Sequence, residues 1–122
     1  KKKQFGFKAV IRQNGKELTL ACLGDEPYHD VCERYVKNAD WLLSEAFCLH
    51  SKKDLFHPYE KCHSTAYDAG IVAKELNVKN LLLYHTEDSD LENRSVKYTA
   101  EAKQNFDGNI FVPSDLEVIR LL

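Results

Sequence analysis

Two three-residue apolar runs, Trp41-Leu42-Leu43 and Leu81-Leu82-Leu83, determine which folds are open to this chain. Short continuous runs of this kind are typical of strands that are covered on both faces. An amphipathic stripe over 66–76 lies between them, and Thr65 with Asp68 forms a capping box in front of that stripe. The alternation of buried strand and helix predicts an α/β layer arrangement.

The first 23 residues predict a β-hairpin. Apolar residues alternate with polar ones from Phe5 to Ile11, and a second alternating segment runs over 17–23. Between them, Asn14-Gly15 is a two-residue turn in which both positions accept a positive φ. We therefore expect this antiparallel hairpin to join the same sheet as the buried strands.

Weaker patterns complete the order of elements. Apolar residues at helical spacing predict helices over 28–37 and 96–106. The segment 47–62 has no clear period and is predicted to be a long loop, and a terminal hairpin is predicted over 110–119. The predicted order is ββ-α-β-α-β-α-ββ, of the α/β (α+β) class.

Composition limits the classes of function. The chain has 122 residues with 17 basic and 19 acidic side chains, and the net charge of −2 argues against nucleic-acid binding through net charge alone. No apolar run approaches the ~20 residues of a membrane span, so no membrane partner is expected. Four widely spaced cysteines predict reduced thiols in a cytoplasmic protein. Because a natural reading frame begins with Met and this chain contains none, we expect it to be part of a longer protein.

Three polar residues are placed where elements end or begin. Asp25 follows the second predicted strand, His63 opens the central helix, and His85 follows the strand centred on 81–83. Binding groups in α/β sheets collect beyond the carboxyl ends of strands, and a carboxylate with imidazoles suits zinc, iron or manganese. Each residue alone is explained as well by capping or hydrogen bonding, and two or three ligands are few for a tight site.

Several motifs in chain order resemble metallo-β-lactamase-fold hydrolases, nearest to the ribonuclease Z branch. Residues 62–66 (CHSTA) and 77–86 (NVKNLLLYHT) are similar to its closing segment, in which an H-S/L-T motif, a helix and a Leu-rich strand lead to a final metal-binding His. Residues 23–27 resemble its G-D-T motif, residues 38–47 its A-D-L-L-x-H-E-A-T strand, and residues 108–118 its closing hairpin.

The resemblance implies half of a four-layer αββα sandwich, with one mixed β-sheet and helices on one face. The family's H-x-H-x-D-H motif belongs to the first half of that fold, and no pair among the five histidines of this chain forms H-x-H. We therefore expect residues 1–122 to be a C-terminal half-domain whose N-terminal half is absent from this chain.

The same resemblance implies a hydrolase that acts on a phosphodiester or related ester through a metal-bound hydroxide. Two divalent metal ions, zinc before manganese or iron, would be bridged by Asp25, and His85 would complete one of them. His63 would be the catalytic general acid, and the helix N-terminus beside it would favour phosphate oxygens. Glu45 and Asp40 are candidates to orient a ligand imidazole, although ordinary loop carboxylates explain them equally well.

Two departures from the motifs favour a general metal-dependent hydrolase over a tRNA endonuclease. Glu26 stands where Thr usually follows the bridging Asp, and Ser44 stands where His often precedes Glu-Ala. RNA is a conceivable substrate that the charge does not support. The fragment alone is expected to bind metal weakly and to be inactive. Its expected partners are the missing N-terminal half or, through the exposed sheet face, a second copy.

Two alternatives come from other classes of function. In one, the chain is a non-catalytic binding or scaffold module in which Asp25 and His85 bind nothing. In the other, His29 and Cys32 form a small structural zinc module that His57 or Cys62 completes.

Overall fold

A computed structural model of the chain describes residues 3–122. One five-stranded sheet has its strands in chain order, and the first pair is antiparallel while the other neighbours are parallel. The strands are β1 (Phe7–Gln13), β2 (Lys16–Cys22), β3 (Trp41–Glu45), β4 (Asn80–Tyr84) and β5 (Asn109–Phe111).

Four short or medium helices accompany the sheet: α1 (Glu33–Val36), α2 (Lys53–Phe56), α3 (Ala66–Glu75) and α4 (Arg94–Ala102). Buried residues of α1, α3 and α4 share one apolar core with Leu42, Leu81 and Leu83 of the central strands. The second core cluster, on the other face, contains Leu18, Leu20 and Trp41 and no helical residue. The predicted class, a mixed sheet with helices on one face, is confirmed.

Two local sequence patterns predicted their elements correctly, a β-turn and the start of a helix. Asn14 and Gly15 have φ values of 52° and 76° in the turn between β1 and β2. At the start of α3, the Thr65 hydroxyl accepts from the Asp68 N–H at 3.2 Å, and the Asp68 carboxylate accepts from the Thr65 N–H at 2.9 Å. The capping box therefore fixes where α3 begins.

Two element predictions are wrong. The segment 47–62 contains helical turns, Tyr59–Lys61 among them, which are too short to give a period in the sequence. After β5 the described chain forms no further strand, so the terminal hairpin is absent. Instead, Ile119 and Leu121 pack on the second face of the sheet, where the Trp41 indole N–H donates to the Leu121 carbonyl at 3.1 Å.

An apolar row crosses the second face of the sheet. Cys22 is in register with Leu43, Leu43 with Leu82, and Leu82 with Phe111. All four side chains are half-buried, whereas Leu81 and Leu83 on the helix-covered face are fully buried. We call these four residues the apolar row. In the part of the chain that the structure describes, no helix is long and apolar enough to cross a membrane.

Asp40 does not orient a metal ligand. It precedes β3 and therefore lies at the amino ends of the parallel strands, whereas the candidate ligands follow the carboxyl ends. Its carboxylate accepts from the Thr19 N–H at 2.8 Å and pairs with the Lys79 ammonium at 3.0 Å. The Thr19 hydrogen bond, more than Lys79, holds the pKa of Asp40 below its ordinary value.

We predict that Asp40→Asn lowers the free energy of unfolding at pH 7 by about 1–2 kcal/mol, since it removes a charged acceptor from a backbone N–H. Because the pKa of Asp40 is lowered on folding, this stabilisation is present above the ordinary value of 3.8 and is lost as the pH falls below it. Urea unfolding at pH 7 and pH 3 should therefore show a difference from wild type that shrinks at pH 3. Asp107→Asn, at an exposed position, is the control, and equal differences at both pH values would contradict the assignment.

Candidate metal centre

The sheet brings three predicted site residues to one edge. Parallel β2, β3 and β4 are neighbours, so their carboxyl ends open on the same side. Asp25 lies in the loop after β2, and His85 follows β4 directly. His63 reaches the same edge because its neighbour Ser64 bonds to the end of β3.

The three side chains lie within reach of one ion. The Asp25 Oδ1 atom is 3.1 Å from Nδ1 of His85 and 3.9 Å from Nδ1 of His63, and the two imidazole centroids are 5.0 Å apart. One potential ligand atom from each residue can be chosen so that all three lie within 4.8 Å of one another. The structure therefore places together the two predicted ligands and the predicted catalytic histidine.

The donor set fits a divalent metal ion. Zinc takes imidazole nitrogen and carboxylate oxygen at about 2.0–2.2 Å, which separates neighbouring ligands of a tetrahedral site by roughly 3.3–3.6 Å. The observed separations bracket that range. Among residues 3–122 no other cluster of three His, Cys, Asp or Glu qualifies, so a second ion would need ligands from outside this group.

Glu45 at the end of β3 is a buried carboxylate that organises His63. Its side chain has no exposed surface, and its Oε1 atom accepts from the Ser64 N–H and the Ser64 hydroxyl, each at 2.7 Å. Its Oε2 atom lies 3.2 Å from Nδ1 of His63. A buried carboxylate is tolerated only with such partners, so the two bonds from Ser64 to Oε1 fix the 63–64 segment. The Oε2 atom and Nδ1 of His63 are both buried and close, but they form no hydrogen bond in this arrangement.

Two aromatic residues that the sequence analysis missed also position the cluster. The Phe47 ring stacks on His63 with centroids 5.1 Å apart. The Tyr84 hydroxyl reaches from β4 across β3 and donates to the carbonyl of Gly24, next to Asp25. Both residues lie inside the motifs that carry the resemblance. Phe47 comes two residues after Glu45, and Tyr84 comes directly before His85, so their position beside site residues was the available signal.

The N-terminus of α3 is not the phosphate platform that the sequence suggested, because its N–H groups already have acceptors. The Tyr67 N–H donates to Oε1 of Glu101 at 3.1 Å, and the Ala66 N–H donates to the Cys48 carbonyl at 3.1 Å. The N–H groups of 64, 65 and 68 donate to Glu45, Asp68 and Thr65. With carboxylates as three of the five acceptors, this turn carries no spare donor for an anion.

The alternative Cys/His zinc module is not assembled. His29 pairs with Glu26 at 3.6 Å, and Nδ1 of His57 lies 3.3 Å from Glu60. Within the described residues, the candidate cluster includes neither Cys32 nor Cys62. No disulfide joins any of the four cysteines, all of which are described.

No family model matches the sequence, but comparison with known proteins finds relatives. Ribonuclease Z of Nitrosopumilus maritimus is 32% identical over 107 residues, which cover 88% of this chain and 34% of that protein. Ribonuclease Z of Lactobacillus helveticus is 33% identical over 88 residues, which cover 72% of this chain and 27% of that protein. The chain thus spans between about a quarter and a third of the length of these relatives.

Solved structures show the same fold. Human tRNase Z, short form, superimposes on 96% of this chain and 38% of its own with a TM-score of 0.67 at 24% identity. The metallo-β-lactamase fold protein YhfI from Bacillus subtilis covers 76% of this chain and 36% of its own with a TM-score of 0.60 at 28% identity. The chain is a segment of the metallo-β-lactamase fold, close to the ribonuclease Z branch. The resemblance stated from the motifs is confirmed.

The Glu45 contact predicts the tautomer of His63. In the metal-free chain at pH 8.5 we expect the ring proton on Nδ1, where it faces Glu45, and long-range ¹H–¹⁵N spectra report it directly. Glu45→Gln should shift the population toward the Nε2–H form and lower the free energy of unfolding by about 1–3 kcal/mol. Glu60→Gln, beside exposed His57, is the matched control and should change neither quantity. An Nε2–H tautomer in wild type would contradict the assignment.

Proposed function

We propose that this chain supplies part of the active centre of a metal-dependent hydrolase that cleaves phosphodiester bonds. The observation that carries the proposal is the convergence of Asp25, His63 and His85 at one sheet edge in a chain that is similar to ribonuclease Z. A carboxylate and two imidazoles within one ion's reach are a donor set that suits a divalent metal ion.

Asp25 and His85 would hold the metal, and zinc is the ion that best fits their donor chemistry, with manganese or iron as alternatives. When bound, a divalent metal supplies Lewis acidity that activates water and neutralises charge at phosphorus. The Asp25 Oδ1 atom lies 3.1 Å from Nδ1 of His85 and 3.9 Å from Nδ1 of His63, and so offers negative charge to both imidazoles. The Tyr84 hydroxyl keeps the Asp25 loop in place through the Gly24 carbonyl.

His63 would hold and deliver the proton for the leaving oxygen. Its Nδ1 faces Glu45, so Nε2 is the nitrogen left to face a reacting group. The ring is only 12% exposed and stacks on Phe47, which limits its rotation. A fixed imidazole with one nitrogen oriented by a buried carboxylate is the arrangement that general acid–base catalysis requires.

The names of the relatives make an RNA phosphodiester the first substrate class to test, with small phosphodiesters and related esters next. The N–H groups at the N-terminus of α3 already have acceptors and are not available to a phosphate. The metal is therefore the group left to balance the charge of a phosphate at this edge. Ser44 also stands where a His is usual in the resembling motif, which removes one imidazole from the edge of the site.

We further propose that residues 1–122 form a C-terminal half-domain and that the rest of the protein covers the apolar row. That row offers four half-buried side chains on adjacent strands, on the face that α1, α3 and α4 leave uncovered. The length of the relatives supports a further half to cover it. The absence of a disulfide among the four cysteines supports a reducing, cytoplasmic location.

The ligand assignment is tested in the full-length protein by metal analysis and by hydrolysis of bis(p-nitrophenyl) phosphate. We expect Asp25→Ala and His85→Ala each to lower the bound metal and to reduce hydrolysis to background, because each removes a ligand. His57→Ala is the matched control, since that imidazole is exposed and pairs with Glu60. If neither Asp25→Ala nor His85→Ala lowers the metal content, the assignment is wrong. The 122-residue chain alone should show no hydrolysis.

The uncovered row predicts self-association of the isolated chain. Sedimentation at micromolar concentration should show a dimer, because burying two apolar rows removes a contiguous patch from water. Leu82→Lys, in the middle of the row, should give a monomer, whereas Val96→Lys, on the exposed surface of α4, should not. A monomeric wild-type chain would refute this proposal.

A further inference from the structure

A cavity of about 380 Å³ lies next to the metal cluster, between the loop after β2 and helix α3. Pro27 and Tyr28 form one part of its wall, and Ala69 and Val72 of α3 form another. His63 lines the cavity and also belongs to the cluster. A group bound in the cavity would therefore be a direct neighbour of a phosphate at the metal site.

The chemistry of the wall favours an aromatic occupant. Besides the aliphatic residues, the rings of Tyr28 and Tyr59 line the cavity, and they come from two separate segments of the chain. Flat heteroaromatic rings gain from contact with tyrosine rings and with aliphatic side chains. Stacking of this kind needs no charge on the ligand.

Three hydroxyl groups of the wall act as hydrogen-bond acceptors, beside the Tyr28 hydroxyl and the imidazoles of His29 and His63, which can donate as well as accept. The Ser44 hydroxyl donates its proton to the Glu45 carbonyl at 3.1 Å, and the Ser64 hydroxyl donates to the Glu45 carboxylate at 2.7 Å. The Tyr59 hydroxyl donates to Asp68 at 2.8 Å. With these protons committed, the three oxygens can only accept from a ligand.

The carboxylates of the wall disfavour an anion. Glu26 and Asp68 line the cavity beside the imidazoles of His29 and His63, and no Lys or Arg is among the lining residues. A phosphate would be repelled there, while N–H groups of an uncharged ring would meet acceptors. The cavity thus suits an uncharged ring that carries hydrogen-bond donors, and the metal cluster suits a phosphate.

We propose that this cavity is a nucleobase site, which binds an amino-bearing base of the nucleotide next to the scissile phosphate. The inference deepens the proposed phosphodiester hydrolysis, on which it rests, by assigning the substrate as a nucleotide and by naming the residues that select its base. Exocyclic amino groups of adenine or cytosine supply the donors that the wall oxygens accept.

The test is a titration of the metal-free, ¹⁵N-labelled 122-residue chain with adenosine, followed by NMR. Saturable shifts are expected at Ser44, Ala69 and Val72. Purine riboside lacks the amino group and has no N–H on its ring, so it should bind about fivefold more weakly, the ratio that corresponds to one net hydrogen bond of ~1 kcal/mol. Inorganic phosphate should not shift these residues.

Two variants separate the cavity from adventitious binding. Val72→Trp should fill the cavity and abolish the adenosine shifts, whereas Val96→Trp, on the exposed surface of α4, should leave them unchanged. If Val72→Trp does not fold, Tyr59→Ala at the half-exposed rim should weaken binding severalfold. Shifts confined to other residues, equal binding of adenosine and purine riboside, or binding unchanged in these variants would each overturn the proposal.

The titration involves neither metal nor hydrolysis, so its outcome is separate from that of the activity assay. A full-length protein that hydrolyses phosphodiesters, combined with a chain that does not bind adenosine, would refute the base site alone. Adenosine binding by the chain, combined with an inactive full-length protein, would support the base site and refute the hydrolase.

Discussion

The buried carboxylate of Glu45 is the interaction on which the arrangement of this edge depends. It ends the central strand β3 without any contact with water, and it is stabilised by the Ser64 N–H and hydroxyl. Those bonds bring the start of α3 to the sheet and turn His63 toward Asp25. Because an unpaired carboxylate at this depth would cost several kcal/mol, the segment before α3 has little freedom to move away.

Carboxylates also determine where an anion can bind at this edge of the sheet. Glu45, Asp68 and Glu101 accept from the N–H groups of residues 64, 65 and 67 at the start of α3, where an anionic ligand would otherwise bind. The helix dipole is thus balanced by the protein itself. In the proposed hydrolase, the bound metal must then balance the charge of a phosphate at this edge. The neighbouring cavity is left for an uncharged ring.

The sequence predicted what local chemistry decides. Asn14-Gly15 and the Thr65–Asp68 box depend on residues a few positions apart, and each formed the element expected from it. The convergence of Asp25 and His85 was also foreseen, since both follow strands whose carboxyl ends meet at one edge. The prediction for Asp40 was wrong because Asp40 and Glu45, although close in sequence, lie at opposite ends of β3.

Features that depend on distant contacts could not be predicted. Glu101 bonds to the His50 N–H, 51 residues away, and Tyr84 bonds across an intervening strand to Gly24. The terminal segment alternates like a strand, yet Ile119 packs over the Trp41 side of the sheet instead of pairing at its edge. Alternation reports that one side is buried and not which partner buries it.

X-ray absorption of the zinc-loaded full-length protein tests the central claim, that Asp25 and His85 hold the metal, most directly. The claim predicts nitrogen and oxygen neighbours at about 2.0–2.2 Å, with the multiple-scattering signature of imidazole that His85→Ala weakens. A sulfur neighbour at about 2.3 Å would contradict it and would place the metal on the cysteines instead.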